Sequence, residues 1–203
     1  FSKFINGQSY RLSYRFNTGS KCSQTLVNVY GKGLGGGLPI SALVGPKELM
    51  DLQPAFAIMT AAGNPVCTAA GRAVLQTIHE EGLIANAAHV GDLMLKGFGR
   101  LAQRHEIIGN VRGRGLACGV ELVKDRSSKR AALDETAKVV FRAHELGLIL
   151  FYVGMDSNVL ELTPPLTLTK FELEEGLAIL DQAFEDVANG KVSDTEVARF
   201  AGW

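Results

Sequence analysis

The stretch Gly31-Lys32-Gly33-Leu34-Gly35-Gly36-Gly37-Leu38-Pro39 decides how this 203-residue chain is read. Gly31, Gly33 and Gly36 fit the spacing GxGxxG. That fingerprint holds a dinucleotide only where it opens a helix whose amide groups face the pyrophosphate. Here Pro39 and an extended apolar run to Val44 follow, which spoils that geometry. A phosphate loop of the GK[ST] kind fails too, because Gly33 follows Lys32. Two readings of Lys32 remain: a solvated loop lysine, or an amine kept clear for a planar carbonyl compound. Glycines on both sides serve the second reading, since they add no bulk and permit backbone angles closed to other residues. An amine so placed acts as a covalent nucleophile. Composition alone does not choose between the two.

Outward from this stretch, the punctuation becomes clear. Asn64 caps a helix that Pro65 begins. Val66, Ala69, Ala70, Ala73, Val74 and Ile78 follow at helical spacing, and Gly82 ends the run. A second helix is expected over about residues 84–105, with Ala87, Val90, Leu93, Leu95, Phe98 and Leu101 as its apolar stripe. Gly109 to Gly115 reads as a turn-rich entry to a strand, in which Leu116, Cys118, Val120 and Leu122 alternate. Asp134 is expected to cap a helix ending at Gly147, with Val140, Phe141 and His144 on one face. Leu148 to Val153 reads as a continuous strand, and Asn158 to Leu162 as a shorter one. Thr169-x-x-Glu172 is a capping box that opens a helix to about residue 188. Ser193-x-x-Glu196 repeats the device before the ending Gly202-Trp203.

The bulk numbers exclude more than they assign. Hydrophobic residues make up 46% and charged residues 21%, as in an ordinary globular core. The formal net charge is zero and the pI about 7.1, which argues against a nucleic-acid or membrane surface. Cys22, Cys67 and Cys118 are odd in number and form no metal-ligand spacing, which points to a reducing cytoplasmic setting. His79, His89, His105 and His144 lie too far apart to signal a metal site, and none is expected. The chain begins with Phe1 and shows no signal peptide, so it reads as a piece of a longer protein or one with an unusual start.

Four blocks carry a resemblance. GKGLGGGLPISALVGPKELMD (31–51) resembles the active-site lysine segment of the class III aminotransferases, a pyridoxal-phosphate family. TAAGNPV (60–66), IGNVRGRGL (108–116) and NVLELTPPLT (158–167) follow in that family's order. The resemblance implies an α/β architecture of fold-type I, the aspartate aminotransferase-like fold of pyridoxal-phosphate transferases. Residues 31–83 would be the end of the large cofactor-binding domain, 84–105 a connecting helix, and 106–203 the small C-terminal α/β domain. Residues 1–30 match nothing in the family. The resemblance further implies that Lys32 binds pyridoxal 5'-phosphate covalently, as a Schiff base. It implies a homodimer in which Thr60 reaches the partner's cofactor phosphate. Arg112 and Arg114 fall in the small domain, where they would fix a loop.

The third implication concerns the substrate. Many members, branched-chain epimerases among them, place an arginine where this chain has Glu161, to grip the substrate's α-carboxylate. A glutamate there would repel a carboxylate, so an uncharged head such as an amino-acid amide or lactam is implied; a local surface or interdomain bond is the plainer alternative. The α-amino-ε-caprolactam racemases share this feature, and GRGLACGVELVKDR, DETAKVVFRAHELGL, FYVGM and FAGW resemble that branch. The implied reaction is racemisation by removal of the α-proton. A class III transaminase and an inactive remnant are the competing readings. The family's aspartate that holds the pyridine nitrogen falls where this chain has Lys3, and the racemases' second acid/base lies upstream. Taken alone, the chain is expected to be inactive.

Overall fold

The protein is described from a computed structural model covering residues 10–16, 23–51 and 60–198. Lys3 and the ending Gly202-Trp203 lie outside the described residues. The chain divides between Ile84 and Ala85 into two compact units.

In the first unit, β1 (Tyr10–Phe16), β2 (Ser23–Tyr30) and β3 (Ala42–Val44) form an antiparallel sheet in the order β1-β2-β3. Tyr10 pairs with Val29, and Tyr30 with Ala42. The glycine stretch fills the connection from β2 to β3 as a single 3-10 turn, Lys32–Gly35. Two helices follow, α1 (Lys47–Met50) and α2 (Pro65–Glu80). The expected cap is present: the Asn64 side chain accepts from the amides of Val66 at 3.0 Å and Cys67 at 3.3 Å. Gly71 is the buried point of α2, because the turn lies against it. A Cβ added there would stand 3.4 Å from the Leu34 carbonyl oxygen and 3.5 Å from Ile40 Cδ1.

The second unit begins within α3 (Leu83–Arg104). It continues through β4 (Ile108–Arg114), β5 (Ala117–Leu122), α4 (Leu133–Glu145), β6 (Phe151–Val153) and β7 (Val159–Leu162) to α5 (Lys170–Ala188) and α6 (Asp194–Ala198). The four strands form an antiparallel sheet in the order β4-β5-β7-β6. Its core face alternates as expected: Cys118, Val120 and Leu122 of β5 are buried, opposite Leu160 of β7. Helical stripes supply the other half of the core. Ala87, Val90, Met94, Phe98 and Leu101 of α3 are buried at steps of three and four, as are Leu173, Leu177, Leu180 and Phe184 of α5.

The sequence expectation differs from this in five respects. The α3 stripe runs through Met94, with Leu93 and Leu95 only half-buried on either side, because Met94 continues the four-residue step from Val90 to Phe98. Gly109–Gly115 is mostly strand: β4 pairs with β5 from Ile108 to Arg114. Helix α4 starts at Leu133, and Asp134 is its second residue rather than its cap. The Ala132 amide still bonds to the Leu122 carbonyl, so the chain leaves the sheet only at that point. The buried face of α4 is Thr136, Val139 and Ala143, while Val140 and Phe141 are half-buried and His144 is exposed. Finally, the Leu148 amide bonds back to Ala143 O at 2.8 Å to close α4, which leaves only Phe151–Val153 free to pair as β6.

Two polar devices hold the helices. Asp186 of α5 is buried, and its carboxylate accepts from Arg142 Nε of α4 (2.8 Å), Lys191 Nζ (2.9 Å) and Gln182 Nε2 (2.9 Å). The hydrogen bonds from Lys191 and then Arg142 pull its pKa down to about 2. At the C-terminal end of α3, Arg126 donates to the carbonyls of Ala102, His105 (3.1 Å) and Ile108 (3.1 Å). A cation is well placed there against the helix dipole.

Candidate active site

Lys32 opens the 3-10 turn with φ 53, the left-handed region that side-chain-bearing residues seldom enter. Among the described residues only Lys129 and Ser157 share this among non-glycines. Gly36 closes the turn at φ 58, its amide bonded to Gly33 O at 3.1 Å. The side chain of Lys32 is exposed. A Cβ built on Gly31 or Gly37 would meet nothing within 4 Å. The inner glycines differ: at Gly35 a Cβ would stand 2.8 Å from Ile40 Cγ2, and at Gly36 3.0 Å from Val74 Cγ2. Two glycines thus keep space open beside the lysine, and two let its turn press onto Ile40 and α2. Backbone strain of this kind persists only where the surrounding packing over-determines it.

Thr60 is exposed in the turn that leads to the Asn64 cap of α2. Lys32 and Thr60 both belong to the first unit, and α2 packs on the Lys32 turn. Their fit to a phosphorylated carbonyl cofactor is chemical. The lysine supplies an accessible amine amid open space, and the threonine an exposed hydroxyl able to donate to a phosphate oxygen.

Glu161 lies in the second unit, on the sheet face opposite the buried Leu160. Cross-strand pairing sets it in one row with Arg112, Gly119 and Phe151. Arg112 does not pair with it. The Arg112 guanidinium donates to Glu121 Oε2 at 2.6 Å and Asn110 Oδ1 at 3.1 Å, a cross-strand bond rather than the loop contact expected, because Arg112 lies within β4. Among the described residues Glu161 has neither hydrogen bond nor ion pair, though it is half-buried. Its local-bond alternative therefore finds no partner there.

Glu161 also lines an apolar cavity of about 390 Å³ in the second unit, with Phe98, Leu148, Phe151, Pro164 and Gly176. Sequence reading missed the residue that shapes its floor. Asn86 donates from Nδ2 to the carbonyls of Leu166 (2.7 Å) and Leu168 (3.1 Å), pinning the loop after β7. Nothing in the sequence marks this, because the partners are backbone atoms some eighty positions away.

Cys118, on the core face of β5, has its thiol pushed up to about 11 by burial, against a smaller downward pull from Arg112. It is inert as a nucleophile at neutral pH. Among the described residues no group of three His, Cys, Asp or Glu side chains stands together to hold a metal. No described helix is long and apolar enough to cross a membrane.

Comparison with known proteins gives the family. The family model described as aminotransferase class-III matches residues 25–184. The leucine/methionine racemase of Thermococcus litoralis is 47% identical over 173 residues, covering 85% of this chain and 39% of that protein. The alanine/serine racemase of Pyrococcus horikoshii is 44% identical, covering 81% and 34%. Among solved structures, a transaminase from the marine bacterium Virgibacillus superposes with a TM-score of 0.76 at 27% identity, covering 81% of this chain and 40% of that one. The chain thus spans about two fifths or less of the length of the relatives it matches.

Proposed function

The chain belongs to the class III aminotransferases, fold-type I enzymes that use pyridoxal phosphate, and on that premise we propose that it is part of a racemase acting on amino-acid amides or lactams, of the α-amino-ε-caprolactam racemase kind. The observation that carries the reading is Lys32, an exposed lysine held at φ 53 beside open space. Two racemases among the relatives support exchange of the α-proton as the reaction. Glu161, half-buried and without a partner among the described residues, supports an uncharged substrate head.

When bound, pyridoxal phosphate supplies an electron-withdrawing system next to the substrate's α-carbon. The residues of this chain do the rest. The Lys32 amine would hold the cofactor covalently. The same amine would take or return the substrate's α-proton. Thr60 donates its hydroxyl hydrogen to the cofactor phosphate of the partner subunit in a homodimer. Glu161 accepts from the N–H of an amide or lactam and disfavours a free carboxylate. A cytoplasmic setting accords with the free thiols of Cys67 and Cys118.

The test is a pair of assays on the protein that carries this chain. Incubated with an L-amino-acid amide in deuterated water without a keto acid, it should lose optical rotation as deuterium enters the α-position. Turnover only when a keto acid is added would replace the racemase with a transaminase. Mixed with pyridoxal phosphate and treated with borohydride, the chain should retain the pyridoxyl group on Lys32. No retained label would favour a remnant without cofactor.

A further inference from the structure

The two edges of the second unit's sheet are built differently. The sheet runs β4-β5-β7-β6, so β4 and β6 each have one side without a neighbouring strand among the described residues. Such an edge is a template for another strand, and proteins blunt it with charge, proline or a bulge. Edge β4 is blunted twice: it carries Arg112 and Arg114, and its register shifts between Ile108 and Asn110. Edge β6 has none of these devices. From Leu146 to Gly154 the chain holds no charged residue and no proline. Along that run the side chains at alternate positions stand in solvent: Ile149 is 76% exposed, Phe151 68% and Val153 40%. Leu150, between the first two, is buried, as a strand with one packed face requires. Large apolar side chains gathered along an unguarded edge mark an interaction surface.

The residues of the strand decide what fits it. Opposite residues of an antiparallel pair point to the same face, so register sets whether two apolar faces align. Strand β6 is Phe151-Tyr152-Val153. A twofold axis at Tyr152 is the only one that pairs every residue of β6 with a residue of β6. Phe151 then faces the second copy's Val153, and Tyr152 faces its own counterpart. The exposed face gains two aromatic-to-β-branched pairs, a favourable cross-strand combination, and no like charges meet. A shift by one residue would set each exposed face against the other's packed face. We propose that β6 pairs antiparallel with β6 of a second copy of this chain about Tyr152, joining the two four-stranded sheets into one. The contact lies wholly in the second unit and draws on neither Thr60 nor Glu161. Three exposed side chains and a short strand edge cover less than the roughly 800 Å² a side of a standard interface, so the pairing is weak, with a Kd on the order of 100 μM.

The test is sedimentation equilibrium of the chain as given, from about 10 μM to about 1 mM, beside two double variants. Both substituted positions are exposed, and Phe151 lies opposite Glu161 of β7, so a lysine there is accommodated within its own sheet. Urea midpoints should confirm that each variant keeps its fold. The unsubstituted chain should pass from monomer to dimer across this range. F151K/V153K sets lysine against lysine across the axis and should weaken the dimer at least about tenfold. F151K/V153E carries the same lysine but sets it against a glutamate of the second copy. It should dimerise within about threefold of the unsubstituted chain at low salt and lose that in about 1 M salt. The proposal is overturned if the chain stays monomeric to about 1 mM, which would leave the edge to some other partner. It is overturned if F151K/V153K dimerises as well as the unsubstituted chain, which would put the contact on another surface, such as that of Thr60. It is overturned as well if F151K/V153E dimerises no better than F151K/V153K, since only pairing about Tyr152 brings the two new charges together.

Discussion

The two units place their residues to opposite ends. The first has few buried side chains among its described residues and centres on a turn whose lysine sits in a backbone region that costs energy. The second has two helical stripes and a strand face, each residue less than a tenth exposed, a capping box and a buried ion-pair network. Local strain persists only where its surroundings over-determine it. In the first unit that surrounding is narrow: Ile40, Val74 and the α2 backbone at Gly71 press on the turn. In the second, stability is spread over many contacts. The strained turn and the packed core thus involve different residues.

The sharpest way to separate them is K32G. It should remove the borohydride-fixed label entirely and lower activity of the whole protein by at least about 10³-fold. The same change should stabilise the first unit by about 1 kcal/mol in denaturant melts, since glycine accepts φ 53 freely. A loss of stability instead would mean that the lysine side chain contributes more to packing than its backbone costs.

Next in size is G91V. A Cβ at Gly91 of α3 would stand 2.2 Å from the Gly115 carbonyl oxygen, and backbone yields less readily than a side-chain end. The second unit should lose about 3 kcal/mol, read as a lower denaturation midpoint at unchanged slope. Cofactor fixation on Lys32 measured below that midpoint should survive; its loss would break the separation.

The buried network gives a pH signature. The folded pKa of Asp186, about 2, lies below the unfolded value of about 3.9. Its contribution to stability is therefore present above pH 4 and is lost as pH falls toward 2. Urea melts between pH 5 and pH 2 should show that slope, and D186N should flatten it while lowering stability at neutral pH. An unchanged slope would assign the acid sensitivity to other carboxylates. The smallest effect is expected from T169A, which removes one end of the capping box and should cost about 1 kcal/mol.

Legibility in the sequence followed the range of the interaction. The Asn64 cap, the Thr169–Glu172 box and the alternation of β5 are local rules, and each appears where its residues predict. Glycine misled where it served packing. Gly109 and Gly113 read as turn residues, yet a Cβ on them would meet Val123 Cγ2 at 2.7 Å and Ala117 O at 2.6 Å, so they are the price of a close strand pair. The stripe of α4 slipped because its buried face includes Thr136, whose hydroxyl is satisfied by Ala132 O at 2.7 Å and so behaves as an apolar group. At the candidate site, the glycines and the resemblance they carry single out Lys32 as the expected anchor. Its backbone angle was not legible, and neither was the pairing of Arg112 with Glu121 across β4 and β5.

Arg126 bears on where this protein will tolerate cargo. Surface loops are the usual places to splice in a tag or a fluorescent reporter. The loop from β5 to α4 looks suitable, with its run of exposed polar residues 124–130. Yet one side chain from it reaches a carbonyl in the last turn of α3 and two in the chain just beyond, at His105 and Ile108. An insertion there would strand those carbonyls and fray a 22-residue helix from a distance. The tip formed by Met155, fully in solvent, and the exposed Asp156 is the safer splice point.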